Sequence, residues 1–179
     1  MATIKWGIDP AHSEIGFKVR HLMISNVKGF FSNYNEVIET SDDEDFTQAK
    51  IELTLDATSV STGNDDRDKH ILSADFLDVA NYPEIKFVGT RSENVDNDGS
   101  YELFGNLTIR SVTKEVKLDI EFGGVMKDPW GNHKAGINVN AKFNRADFGL
   151  VWNAALETGG VLVSDEVRIA CEIQLVRQS

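Results

Sequence analysis

Apolar and polar residues alternate with a period of two along much of the chain. Ile51, Leu53, Leu55 and Ala57 interleave with Glu52, Thr54 and Asp56. In an extended backbone successive side chains point to opposite faces, so this spacing predicts a strand with one greasy and one wet side. The pattern returns at Ile15, Phe17 and Val19, at Val116, Leu118, Ile120 and Phe122, at Ile137, Val139, Ala141 and Phe143, and at Val167, Ile169, Cys171, Ile173 and Leu175. Two further runs contain glycine. Ile85 and Phe87 precede Gly89, and Tyr101, Leu103, Leu107 and Ile109 surround Gly105, where a glycine replaces the inward side chain and suits a bend in a curved sheet.

Turn chemistry separates the runs. Asp98-Gly99 offers the positive φ of a tight hairpin, and Asp128-Pro129-Trp130-Gly131 joins a proline-set φ to a permissive glycine, so consecutive strands are expected to pair antiparallel. One segment, Asp65 to Asp78, reads as helical, with Ile71, Leu72, Phe76 and Leu77 on one side, Asn64 as its cap and Tyr82-Pro83 as its stop. The acidic run from Ser41 to Asp45 has no apolar period and is placed in a solvated connection. About eight long strands, each with one apolar face, predict an all-β fold: an antiparallel β-barrel closed on itself, with a sandwich as the competing architecture.

Length and composition narrow this further. At 179 residues and 41% hydrophobic, the chain suits a single domain over residues 1–179. Its 18 Lys and Arg against 29 Asp and Glu give a formal charge of -11, which repels phosphate backbones and argues against a nucleic-acid partner. The opening residues, Met1 to Trp6, lack the pattern of a secretory leader, and no stretch is long and apolar enough for stable membrane insertion, so a cytoplasmic location is expected. Cys171 is the one cysteine and falls in phase with apolar neighbours, as a buried structural thiol does.

Motifs for chemistry are scarce. His12, His21, His70 and His133 are scattered and form no zinc pattern, so no metal site is expected. Asp9, His12 and Ser13 are too close in sequence to converge as a hydrolytic triad, and the bland reading is that Asp9 and Ser13 fix a turn. Asp96, Asp98 and Ser100 start like a calcium loop, but Gly99 stands at the fourth place instead of the sixth and no acid closes the loop. Gly123-Gly124 and Gly159-Gly160 lack the flanks of phosphate-binding motifs and read as bends. Asn106-Leu107-Thr108 matches a glycan acceptor but lies in an expected strand.

Four blocks resemble the YceI-like family of lipocalin-like proteins. The first runs from Trp6 through Asp9-Pro10-Ala11-His12-Ser13 to Phe17, then His21-Leu22-Met23 and Val27-Lys28-Gly29-Phe30-Phe31. The second joins Arg67-Asp68-Lys69-His70-Ile71-Leu72 and Asp75-Phe76-Leu77-Asp78 to Tyr82-Pro83-Glu84-Ile85-Lys86-Phe87. The third is Gly105-Asn106-Leu107-Thr108-Ile109-Arg110 with Val112-Thr113-Lys114. The fourth is Phe143-Asn144-Arg145-Ala146-Asp147-Phe148-Gly149 followed by Asp165-Glu166-Val167-Arg168-Ile169.

The resemblance implies an extended eight-stranded antiparallel barrel whose apolar interior holds a polyisoprenoid, an isoprenoid quinone or a fatty-acid derivative. It implies no catalytic residue and no cofactor beyond such a bound molecule. The candidate lining is Phe17, Val19, Leu53, Leu55, Phe87, Leu107, Leu118, Ile120, Val139, Phe143, Ile169 and Ile173, with Phe76 near the helical cap. Arg145 and Asp147 are expected to brace the turn before the last strands as a pair. The net charge favours a neutral ligand over a prenyl diphosphate. Two other readings stay open: a stress or interaction protein with a filled barrel, and an enzyme acting on a bound amphiphile through His12, His21 or Arg145. A homodimer is compatible with each.

Overall fold

The computed structural model describes residues 3–22, 24–42, 45–96, 98–153 and 163–178. The strands are β1 (Ile4–Ile8), β2 (Glu14–His21), β3 (Ser25–Phe31), β4 (Tyr34–Thr40), β5 (Lys50–Asp56), β6 (Val60–Ser61), β7 (Glu84–Glu93), β8 (Ser100–Ile109), β9 (Val112–Lys127), β10 (His133–Asn144) and β11 (Val163–Arg177), with one helix, α1 (Asp65–Leu72).

These segments make a closed eight-stranded antiparallel barrel. The counts agree because the first six segments are three bent strands. β1 and β2 lie end to end against β11: Trp6 faces Arg177 and Ile8 faces Leu175 on β1, and Ile15 faces Cys171 and Val19 faces Val167 on β2. β3 and β4 lie beside them, and β5 and β6 follow. β7 to β11 then run as a meander, and the β1–β11 ladder closes the ring, which rules out the sandwich.

Aspartates set the bends. At the first, Asp9 Oδ1 accepts the Ala11 N–H at 3.1 Å and Pro10 fixes φ, producing the turn at Pro10–His12. At the third, Asp56 Oδ1 accepts the Thr58 N–H at 3.0 Å to make the turn at Ala57–Ser59. Asn33, at the second bend, donates its side-chain N–H to Asp56 at 3.1 Å, so two bends hold each other. Hairpins follow the expected chemistry: Gly99 and Gly131 have φ of 89° and 88°, and Asp128 Oδ1 accepts the Trp130 and Asn132 N–H groups at 2.9 Å. Gly123-Gly124 sits at a bulge, where Gly124 pairs with Gly136 and Phe122 with Ile137. Gly159-Gly160 lies outside the described residues.

The helix is shorter than the pattern from Asp65 to Asp78 suggests. Asn64 Oδ1 caps it by accepting the Arg67 N–H at 3.0 Å. It stops at Leu72 because Ser73 is extended and its hydroxyl donates to the His70 carbonyl at 2.6 Å, after which Phe76 and Leu77 continue in turns.

Inward side chains of alternate positions fill the barrel wall. Phe46, from the connection between β4 and β5, closes one end: it is 2% exposed and its ring packs on Trp6 at 5.1 Å and on Phe122 at 5.0 Å. The connection expected to be only solvated thus supplies a plug.

Candidate functional site

A cavity of about 360 Å³ runs through the barrel, and its lining is almost wholly hydrocarbon. Every candidate lining position named above stands on its wall: Phe17 and Val19 from β2, Leu53 and Leu55 from β5, Phe87 from β7, Leu107 from β8, Leu118 and Ile120 from β9, Val139 and Phe143 from β10, Ile169 and Ile173 from β11, and Phe76 from the turn after α1. For all but Phe76 the reason is the period-two geometry, which turns each side chain to the concave face of its strand.

The two ends differ. Phe46 stands at one end of the lining, against Trp6. At the other, α1 and the segment after β10 converge: His70 meets the Trp152 ring edge-on at 4.5 Å, and Phe76 lies 5.0 Å from His70 and 5.4 Å from Trp152. His70 Nε2 also contacts Asp75 Oδ2 at 2.9 Å. Phe46, Trp152 and His70 were not among the expected lining residues, because they come from connections and a helix with no strand period to mark them.

Arg145 is 3% exposed at this end, yet its guanidinium is fully employed. Nε donates to the Ser164 carbonyl at 2.9 Å, and Nη1 donates to those of Leu150 and Trp152 at 2.7 and 2.8 Å. Nη2 donates to Val163 at 3.4 Å and lies 3.9 Å from Asp165. Arg145 therefore braces the chain before β11, as expected, but through backbone carbonyls and not through Asp147, which is exposed. Burial lowers its pKa from the ordinary arginine range, and Asp165 opposes that shift.

Other candidates for chemistry do not converge. His12 is 61% exposed at the first bend, where its Nδ1 contacts Asp9 Oδ2 at 2.8 Å, and it is not on the cavity lining. Ser13 Oγ accepts the Gln174 N–H at 2.9 Å and donates to the Gln174 carbonyl at 3.3 Å, so Asp9 and Ser13 do fix a turn. The hydrogen bond with His12 is the main reason the Asp9 carboxyl sits below its usual value. His21 and Arg145 do reach the cavity, at its α1 end. Asp98 accepts the Ser100 N–H at 2.9 Å in the β7–β8 hairpin. Cys171 lines the cavity, and burial pushes its thiol up to about 11. Among the described residues no helix is long and apolar enough to cross a membrane.

A closed antiparallel barrel around an apolar interior defines the lipocalin-like class. Within it, residues 6–175 match the YceI-like domain, and the chain belongs to that family. It is 38% identical over 161 residues to a UPF0312 protein of Staphylococcus aureus, covering 89% of this chain and 90% of that one. The crystal structure of the Campylobacter jejuni YceI protein is similar at a TM-score of 0.76 and 34% identity, over 97% of this chain and 98% of that one. A polyisoprenoid-binding domain from Saccharophagus degradans has the same fold, with a TM-score of 0.66 at 14% identity, over 96% of this chain and 98% of that one.

Proposed function

We propose that this protein binds one long-chain apolar or amphiphilic molecule inside its barrel, carrying or storing it without covalent chemistry. A polyisoprenoid, an isoprenoid quinone or a fatty-acid derivative fits this description. The observation that carries the reading is the cavity of about 360 Å³ with a hydrocarbon lining, a volume typical of small-molecule sites, which are about 300–1,000 Å³. Supporting it, the Saccharophagus domain with the same fold is described as polyisoprenoid-binding.

Magnitudes are adequate without an anchor. Burying about twelve to sixteen CH₂ units gives roughly 10–13 kcal/mol gross at ~0.8 per unit. Subtracting at least ~4 kcal/mol for lost freedom leaves binding in the micromolar range. Against an enzymatic role stand the position of His12, off the cavity lining, and the employment of Arg145, whose donors are taken by backbone carbonyls. Against a filled barrel stands the cavity itself.

Native mass spectrometry after mild purification tests the proposal. A discrete mass above that of the chain, lost on organic extraction and identified as a long-chain lipid, is the expected result. A protein that carries nothing and takes up no member of a panel of prenols, quinones and fatty-acid derivatives contradicts it.

A further inference from the structure

The cavity wall is asymmetric in charge. In a chain with 29 acids and 18 Lys and Arg, no aspartate or glutamate among the described residues lines the cavity, whereas Arg20, His21, Arg67, His70 and Arg145 all do. These residues belong to one end. Arg145 donates to the carbonyls of Trp152 and Val163, Val163 faces His21 across the β2–β11 ladder, Trp152 packs on His70, and Arg67 lies one turn before His70 on α1. Arg20 adjoins His21 on β2. The far end is the aromatic plug of Trp6, Phe46 and Phe122.

The basic groups are not equally available. Arg145 spends its donors on four backbone carbonyls. Arg67 spends Nε on Thr62 Oγ1 at 2.7 Å and one Nη2 proton on the Thr62 carbonyl at 2.8 Å, which fixes the guanidinium; among the described residues Nη1 is uncommitted and no carboxylate pairs with it. Acids nearby are turned elsewhere: Asp68 accepts from Thr62, Asp75 contacts His70, and Asp165 is 71% exposed beside Arg145.

We propose that the barrel's ligand is a single-chain anionic amphiphile, whose one carboxylate lies against Arg67 at the α1 end while its tail runs toward Phe46. The inference rests on the carrier reading above and names the head group. A fixed guanidinium matches a carboxylate in charge and geometry better than it matches a hydroxyl or an amide. Among the described residues Arg67 is the half-buried guanidinium with an uncommitted Nη1 and Arg20 stands exposed on its strand, so the interior suits one buried charge better than a diphosphate. The net charge of -11 opposes an anion only at long range, because exposed charges are screened beyond about 8 Å at physiological salt.

The test is competition against a fluorescent fatty probe on delipidated full-length protein, using a C16 carboxylic acid, its primary amide, its alcohol and a prenyl diphosphate. The acid is expected to bind at least about tenfold tighter than the amide and alcohol at low salt, with the margin shrinking as salt rises. Arg67→Met should bring the acid to the level of the amide, because the charged head loses far more than the neutral one, and Arg67→Lys should keep part of the margin. If Arg67→Met does not fold, the ratio of acid to amide in the unmodified protein, with its salt dependence, decides. An amide or alcohol equal to the acid overturns the inference and leaves the carrier reading standing, as does a margin that survives Arg67→Met. A diphosphate tighter than the acid overturns the single charge. Failure of all four to bind overturns the carrier reading itself.

Discussion

The ring of Phe87 on β7 occupies the space where Gly105 on β8 would carry a side chain. A Cβ on Gly105 would overlap the Phe87 ring and stand 2.6 Å from the Val88 carbonyl oxygen. Phe17 covers Gly29 in the same way, one residue facing the other across the β2–β3 ladder. Each glycine lets a phenyl ring lie flat along the wall, and each ring keeps the exposed glycine backbone from water. The cavity owes its width to these pairs, since a ring displaced from its glycine has only the interior to enter.

Gly105→Ala is therefore expected to destabilise the fold by about 1–3 kcal/mol, the usual range for overpacking, and to weaken binding of a long chain. Urea denaturation and probe titration measure the two effects. Unchanged stability would mean that Phe87 has room to move outside the cavity.

Arg145→Met should cost more, about 2–4 kcal/mol, because carbonyls of Leu150, Trp152, Val163 and Ser164 lose a charged donor together. Lysine, without the planar fork, should recover only part. The loss should show in denaturation before it shows in ligand affinity. The reverse order would place Arg145 in the binding machinery.

Cys171 should resist thiol reagents. With its thiol pushed up to about 11 by burial, reaction with a disulfide reagent at pH 8 is expected to be on the order of a hundredfold slower than in denaturant, where the ordinary value near 8.5 applies. Equal rates would mean that the cavity admits the reagent and ionises the thiol.

Acid should destabilise the barrel through its turns. Asp9, Asp56, Asp98 and Asp128 all sit below their usual carboxyl value, held there first by hydrogen bonds from His12, Thr58, Ser100 and Asn132 respectively. A depressed folded value means the folded state binds its proton less readily than the unfolded chain. The contribution is then present above about pH 3.9, the unfolded value, and is lost as pH falls through the folded values. Denaturation midpoints should drop below about pH 4, and Asp56→Asn should flatten that drop. A midpoint independent of pH between 5 and 3 would rule out this role for the turn aspartates.

Much of the barrel was legible because one physical rule, the alternation of strand faces, governs β5 and β7 to β11 alike. The rule fails where polar groups point inward for local reasons. On β4, Glu36 and Thr40 share the face of Ile38: Glu36 accepts the Ile8 N–H at 2.8 Å just past the last β1–β4 pair, and Thr40 accepts the Trp6 Nε1–H at 3.0 Å. That strand reads as polar on both sides, and no period announces it. The plug at Phe46 and the aromatic contacts of Trp152 are equally silent, because a connection's path depends on where its ends are held, which is set by the finished barrel. The expectation of an Arg145–Asp147 pair came from the family's late motif, whereas the guanidinium found carbonyls of the segment after β10 and of β11.

The central claim is that the hollow takes a hydrocarbon tail, and a homologous series of chains measures this most directly. Affinity of straight-chain ligands from about C8 to C16 should rise about fourfold per added CH₂, corresponding to ~0.8 kcal/mol, and then level off when the tail reaches the plug. Val139→Trp, which fills the wall from inside, should remove the rise, and Asn138→Trp on the outer face should not. A flat dependence on chain length, or one that Val139→Trp leaves intact, would contradict the account.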